Sequence, residues 1–298
     1  MRIGLSCGWL ENYWGDWFTA KQYGGSEHIA IELAAELAAQ GHEVTVRFPY
    51  EHGEMVARGV RWIPLSAESQ RYDLLFCFDD FARRDHGERV ALVACRSDPP
   101  PEQNFDQMIF LSRHHARLMG YPECPSVGGG LNLRDYRHAL RRAPGLVICT
   151  TSPDRCRAAF DIGACFCKFV FSYKPVPGLP PTKPVTREEL VRLQKRAQAL
   201  IYPLDPRRPS DFFSMAVLES MAAGTPVIVS AADSMPDLWA EAALTIPLPV
   251  RISKWVETVE DLLARKTLWS RYSALGRALA QRYDWSAVAR RYLAAAGA

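Results

Sequence analysis

The chain has 298 residues, about twice a typical domain, so two domains are expected. With 48% hydrophobic and 23% charged residues it has the composition of a folded globular protein, which excludes disorder. The net charge of +3 does not by itself imply a polyanionic partner, and the longest uncharged run, Ser220 to Ala232, is shorter than the ~20 apolar residues of a membrane span.

Met1 leads directly into an apolar strand pattern, with neither the apolar stretch nor the cleavage site of a signal peptide. The chain is therefore read as cytoplasmic, with no transmembrane segment. Arg2 to Ser6 predicts a strand. Gly25 to Gln40 predicts a helix, with Ile29, Leu33, Ala34 and Leu37 on one face and Gly41 at the C-cap. Glu43 to Phe48, Tyr72 to Phe78, Val90 to Cys95 and Met108 to Leu111 are short apolar strands suited to a parallel sheet covered on both faces. Near residue 145 the rhythm restarts. Strands are expected at Leu146 to Cys149, Phe169 to Phe171, Leu200 to Tyr202, Pro226 to Val229 and Leu244 to Leu248. Thr186 to Arg196 is a helix opened by a capping box, and Ser214 to Ala223 is a helix closed by Gly224. Helices fill most of 252 to 296. The alternation predicts two doubly wound α/β domains, 1–140 and 141–280, with the boundary between Arg134 and Gly145. The last segment, 281–298, is a helix expected to pack back on the first domain. The eight cysteines have no zinc spacing, and reduced thiols without a structural metal are expected.

Two stretches carry chemistry. Gly24-Gly25-Ser26-Glu27 directly precedes the first helix, where free N–H groups favour an anion. A phosphate-binding turn and a plain loop with Ser26 as N-cap remain equal readings there. The pattern is neither G-x-G-x-x-G nor a P-loop, which disfavours a nicotinamide cofactor and P-loop phosphoryl transfer. The second stretch runs from Asp211 through Gly224. Glu219 is the single charge on its helix, and a buried carboxylate needs donors, either sugar hydroxyls or a basic side chain elsewhere.

This second stretch resembles the signature of family 4 glycosyltransferases, roughly E-G-F-G-L-x-x-L-E-A-M-A-x-G-x-P-V-V. Phe213, Leu218, Glu219, Met221, Ala222, Gly224, Pro226 and Val227 match it. Gly24-Gly25-Ser26-Glu27 through Gly41-His42-Glu43-Val44-Thr45-Val46 is similar to that family's N-terminal pattern. Leu111-Ser112-Arg113-His114-His115, Met235-Pro236-Asp237-Leu238 and Asp284-Trp285-Ser286 fall in the matching order. The resemblance implies the GT-B fold, two Rossmann-like doubly wound domains facing across a cleft. It also implies retaining transfer of a sugar from a UDP- or GDP-linked nucleotide-diphosphate donor. Neither cofactor nor metal is implied, the nucleotide-sugar being a substrate.

By the same resemblance Glu219 holds the donor ribose, Asp211 contacts the transferred sugar, and the N–H groups of Ser214 and Met215 hold the diphosphate. Gly24 and Gly25 approach that diphosphate from the first domain. The family's G-R-L-x-x-x-K turn corresponds to Thr150-Thr151-Ser152-Pro153-Asp154-Arg155. Arg155 takes the Lys position as a diphosphate clamp beside Thr151, and Thr150 replaces the Arg, removing one cation. A subset of short relatives has a similar S-S-P-D-R turn. The family's first-domain His has no counterpart, and Asp98 is the candidate replacement. The aromatic loop Trp9 to Tyr23 reads equally as a stacking surface for sugars or bases and as a hydrophobic plug. Two other functions stand beside this one: a non-catalytic nucleotide-sugar-binding protein, and transfer to hydroxymethylated bases in DNA, motivated by the basic surplus after Arg251. The acceptor is left open among a saccharide, a lipid-linked saccharide and a modified DNA base.

Overall fold

The computed structural model describes residues 1–8, 25–49, 53–67, 70–78, 86–96, 105–205, 207 and 211–298. The chain divides into two compact units, Met1–Gly130 with Trp285–Ala298, and Leu131–Asp284. The first division thus falls before the expected Arg134–Gly145 linker. The reason is local: a 3₁₀ turn at Leu133–Tyr136 belongs to the second unit, where the Tyr136 hydroxyl donates to Gln194 and accepts from Arg187.

In the first unit the strands are β1 (Arg2–Ser6), β2 (Glu43–Phe48), β3 (Met55–Ala57), β4 (Val60–Pro64), β5 (Tyr72–Phe78), β6 (Gly87–Ala94) and β7 (Gln107–Phe110). They form one sheet in the order β3-β4-β2-β1-β5-β6-β7. Every pairing is parallel except β3 with β4. Helix α1 (Gly25–Ala39) buries Ile29, Leu33, Ala34 and Leu37 and stops at Gly41, whose φ of 89° only glycine adopts without strain. It begins at Gly25, earlier than an N-cap at Ser26 requires. Helix α2 is Arg113–Leu118. Helix α9 (Trp285–Ala295) belongs to this unit. Its Tyr292 hydroxyl donates to the Val127 carbonyl at 3.0 Å, and the Trp285 ring lies where a Cβ on Gly130 would sit, 2.6 Å from that position.

The second unit is a five-stranded, wholly parallel sheet in the order β12-β11-β10-β8-β9. Its strands are β8 (Leu146–Cys149), β9 (Lys168–Phe171), β10 (Ala199–Tyr202), β11 (Val227–Ser230) and β12 (Ala243–Ile246). β8, β10 and β11 are apolar and almost wholly buried, as strands covered on both faces must be. The helices are α3 (Ala158–Gly163), α4 (Arg187–Arg196), α5 (Met215–Ala222), α6 (Met235–Trp239), α7 (Ile252–Ala264) and α8 (Lys266–Ala280). α4 starts with a complete capping box: Glu189 N–H donates to Thr186 Oγ1 at 3.2 Å, and Thr186 N–H donates to Glu189 Oε2 at 2.7 Å.

Several cations of the C-terminal helices are neutralised locally, Lys254 by Glu257, Arg265 by Asp261 and Arg282 by Glu241. Of these partners only Glu241 lies outside the segment that starts at Arg251, so most of its basic surplus persists. Cys7, Cys77, Cys149 and Cys156 are buried and Cys165 and Cys167 exposed, and all eight cysteines are free. Among the described residues no helix is long and apolar enough to cross a membrane.

Candidate functional site

In an open parallel sheet, ligands bind beyond the carboxyl ends of the strands, where the strand order reverses. In the second unit that point lies between β8 and β10, because the chain places β9 on one side of β8 and β10 on the other. The turn after β8 carries Thr150, Thr151 and Arg155. The segment after β10 leads to Asp211 and the start of α5. The expected residues Thr151, Arg155, Asp211, Ser214, Met215 and Glu219 therefore belong to one end of one sheet. Gly25 opens α1 in the other unit, and Gly24 and Asp98 lie outside the described residues, as does the loop from Trp9 to Tyr23.

Asp211 is buried, 3% exposed, and its carboxylate already has protein partners. The Tyr202 hydroxyl donates to Oδ2, the Phe213 N–H donates to the carboxylate, and Arg155 Nη1 stands 3.9 Å from Oδ2. Burial raises the Asp211 pKa above the ordinary carboxylate value, while Arg155 and the Tyr202 hydrogen bond pull it back. Burial pushes the Tyr202 phenol well above its usual range, so it stays a donor. The Thr151 hydroxyl lies 2.9 Å from the Tyr202 oxygen and completes the chain. Asp211 is thus the inner anchor of a polar chain rather than an outward carboxylate presented to a sugar.

Arg155 is the outer member of that chain, with its side chain 42% exposed. Burial lowers its pKa, but the neighbouring Asp211 outweighs this together with Tyr202 and Tyr173, so the net shift is upward and the guanidinium is a fixed cation. Its backbone is held at both ends, by Arg155 N–H donating to the Ser152 carbonyl and by Asp205 N–H donating to the Arg155 carbonyl. Apart from Asp211, no acceptor for the guanidinium occurs among the described residues. That leaves most of its fork open to an external anion.

α5 supplies donors beside it. Ser214 is the N-cap and its Oγ accepts from Val217 N–H at 3.3 Å. The N–H groups of Met215 and Ala216, in the first turn, have no carbonyl within the helix. Helix geometry therefore places two backbone donors and the positive end of the helix dipole at the strand ends. Two hydroxyls at the same edge are orphaned: Thr150 Oγ1 after β8 and Ser172 Oγ after β9 are buried without a hydrogen-bond partner.

Glu219 is 4% exposed and forms the buried ion pair that was one of its two expected readings. Arg187 Nη1 donates to Oε1, and Gln194 Nε2 donates to Oε2 at 2.9 Å. Arg187 also reaches the Tyr136 hydroxyl at 3.2 Å. Burial is the main force raising the Tyr136 pKa, which keeps that hydroxyl protonated. A carboxylate offers about four lone-pair sites, so two donors do not saturate it. Arg187, Gln194, Tyr136 and Tyr202 were missed from the sequence. The capping box at Thr186 marks where α4 begins, but nothing local links Arg187 to a residue 32 positions away.

The comparisons bear on this same region. Residues 182–278 match the model of the family described as glycosyl transferases group 1. A curated relative, D-inositol 3-phosphate glycosyltransferase of Mycobacteroides abscessus, is 28% identical over 115 residues. This stretch covers 38% of the present chain and 25% of the relative, so the chain matches about a quarter of that protein's length. Among solved structures, the glycosyltransferase AviGT4 of avilamycin A biosynthesis aligns with a TM-score of 0.76 at 15% identity, over 100% of this chain and 97% of its own. Sucrose-phosphate synthase of Thermosynechococcus elongatus aligns at 0.71 and 15% identity, over 98% and 97%. The Anabaena protein HepE, in its complex with UDP-glucose, aligns at 0.67 and 11% identity, over 98% of each chain. The fold is GT-B.

Proposed function

We propose that the chain is a retaining glycosyltransferase that moves a sugar from a UDP- or GDP-linked donor to a hydroxyl acceptor. The observation that carries this reading is the grouping, at the switch point of the second unit, of three groups suited to a nucleotide-sugar. These are the open N–H groups of α5, the guanidinium of Arg155, and Glu219 further along the same helix. Glu219 lies four positions after Met215, a rise of about 6 Å. That interval suits a diphosphate at the helix start and a ribose beside Glu219. The match of residues 182–278 to glycosyl transferases group 1, and the UDP-glucose complex of HepE, favour the same assignment.

In this reading the diphosphate is the leaving group. Negative charge develops on it as the sugar bond breaks, and Arg155 with the α5 N–H dipoles stabilises that charge without moving. The cation comes from the protein, so the proposal includes independence from divalent metal. A phosphate oxygen on the same face as the incoming hydroxyl takes its proton, and configuration is retained. Asp211 acts as a positioning residue: with Tyr202 it fixes Arg155. The Glu219 carboxylate accepts from the ribose hydroxyls beside Arg187 and Gln194.

The test is donor hydrolysis and transfer with a panel of UDP- and GDP-sugars in the presence of EDTA, with the product anomer read by NMR. Retained configuration, with activity lost in Glu219→Ala, supports the proposal. An inverted product, or activity that requires Mn²⁺ and survives Glu219→Ala, overturns it. Tight UDP binding with no turnover on any acceptor would move the chain to a non-catalytic nucleotide-sugar-binding role.

A further inference from the structure

The second unit has a cavity of about 460 Å³ that the donor site does not use. It lies between β9, the edge strand of the sheet, and α4. Leu146 and Lys168, which line it, are the first residues of β8 and β9, whereas the switch-point residues follow the last residues of these strands. A four-residue strand spans about 13 Å. The cavity runs along that length, from Arg196, whose carbonyl accepts from Ala143 N–H, to Lys183, whose N–H donates to the Phe171 carbonyl, and none of the residues lining it is one of the donor-site residues.

The lining has two parts. Leu146, Val170, Val185 and Leu193 give an apolar floor. Lys168, Lys183, Arg192 and Arg196 stand around it, against one carboxylate, Glu189. Glu189 is turned back into the capping box of α4, where it accepts from Thr186 N–H. Arg192 is paired with Glu188, and Lys168 donates to the Pro144 carbonyl at 3.1 Å. Lys183 and Arg196 have no carboxylate within ion-pair distance among the described residues. The cavity thus combines an oily base with an uncompensated positive rim. A neutral sugar would leave the rim unpaired, and a bare inorganic anion would leave the floor exposed to water. The volume falls within the ~300–1,000 Å³ usual for small-molecule sites.

We infer that this cavity binds an amphipathic anion, an apolar body ending in a phosphate or carboxylate, with the basic rim holding the head. The site is separate from nucleotide-sugar binding and stands whether or not the transfer reading holds.

Calorimetry of the full chain with octyl phosphate, below its micelle-forming concentration and with saturating UDP present, tests it. Octyl phosphate should bind far more tightly than inorganic phosphate or octanol alone, and UDP should not displace it. Lys183→Glu/Arg196→Glu should weaken binding at least about tenfold. Both side chains are exposed, so this variant should keep the native melting profile, and Lys183→Gln/Arg196→Gln provides a milder check that should weaken binding in the same direction. Sedimentation with phosphatidylglycerol–phosphatidylcholine vesicles separates the sources. Pelleting that the double variant abolishes identifies a lipid headgroup, and octyl phosphate binding without pelleting identifies a free molecule. Displacement by UDP, an affinity no greater than that for inorganic phosphate, or an unchanged affinity in both double variants would overturn the inference.

Discussion

At the residue scale the candidate site depends on two acidic side chains that face inward. Asp211 holds Arg155 through a 3.9 Å ion pair that Tyr202 steadies from behind. Arg155→Lys keeps the charge but loses the planar fork, so UDP affinity should fall about tenfold, with little change in melting temperature. Tyr202→Phe leaves the Asp211 carboxylate one donor short. It should cost about 1–2 kcal/mol of stability by urea unfolding, and UDP affinity should fall with it as Arg155 loses its fixed position. If UDP affinity stays at the wild-type value in both variants, Arg155 is not the clamp. Glu219 was legible because a lone charge on an otherwise apolar helix needs a partner. Its partners were not, because Arg187 and Gln194 lie on another helix and reach Glu219 only once both helices pack on the sheet. The same holds for Tyr202, which reads from sequence as a strand residue like its neighbours but supplies the hydroxyl that ties Thr151 to Asp211.

At the element scale, capped amphipathic helices and apolar strand runs were legible, including the four-residue strands β8, β10 and β11. α1, β2, β5 and α4 fall where apolar spacing and capping put them. β3 and β4 were missed, as were α2, α3 and α6, helices whose five or six residues are too few to establish a helical period. α2 is fixed by hydrogen bonds instead. Ser112 caps it by accepting from His115 N–H. The His115 ring is buried, with Nε2–H donating to the Arg96 carbonyl at 2.9 Å and Nδ1 accepting from Leu111 N–H at 3.5 Å. Burial lowers the His115 pKa from 6.5 to about 4, outweighing the Arg96 hydrogen bond. A base whose folded value is depressed contributes its full stability above the unfolded value and loses it as pH falls. The wild-type chain should therefore lose about 3 kcal/mol between pH 6.5 and 4 that His115→Gln does not lose. Urea midpoints across that range read this directly, and parallel curves for the two proteins would show that folding does not depress the His115 pKa. Thr186→Ala should cost about 1 kcal/mol by opening the capping box that starts α4 next to Arg187.

At the scale of the whole molecule, the alternation of strands and helices foretold two α/β units, because each parallel crossover needs its own helix. The exact division was not legible, because Leu133–Tyr136 reads as a connector, whereas Tyr136 joins the second unit through its hydroxyl and through its ring beside Lys195. The units differ in how they are closed. The second is a continuous segment, Leu131–Asp284, whereas the first is completed by the last fourteen residues of the chain, Trp285–Ala298. In that segment Trp285, Val288, Ala289 and Tyr292 are buried, and Phe76 of β5 meets the Tyr292 ring edge-on at 6.1 Å. Full burial of large apolar side chains contributes about 1.5–3 kcal/mol each, so these contacts together are comparable with the stability of an entire domain. A chain ending at Asp284 should therefore lose amide-exchange protection in α1 and β5 while α5 and β11 keep theirs. The second unit is a continuous segment that does not include these residues, so UDP affinity should persist in the truncated chain if the donor is held there alone. Uniform loss of protection across both units would mean instead that the two fold as a single cooperative body and that the C-terminal helix stabilises the whole chain.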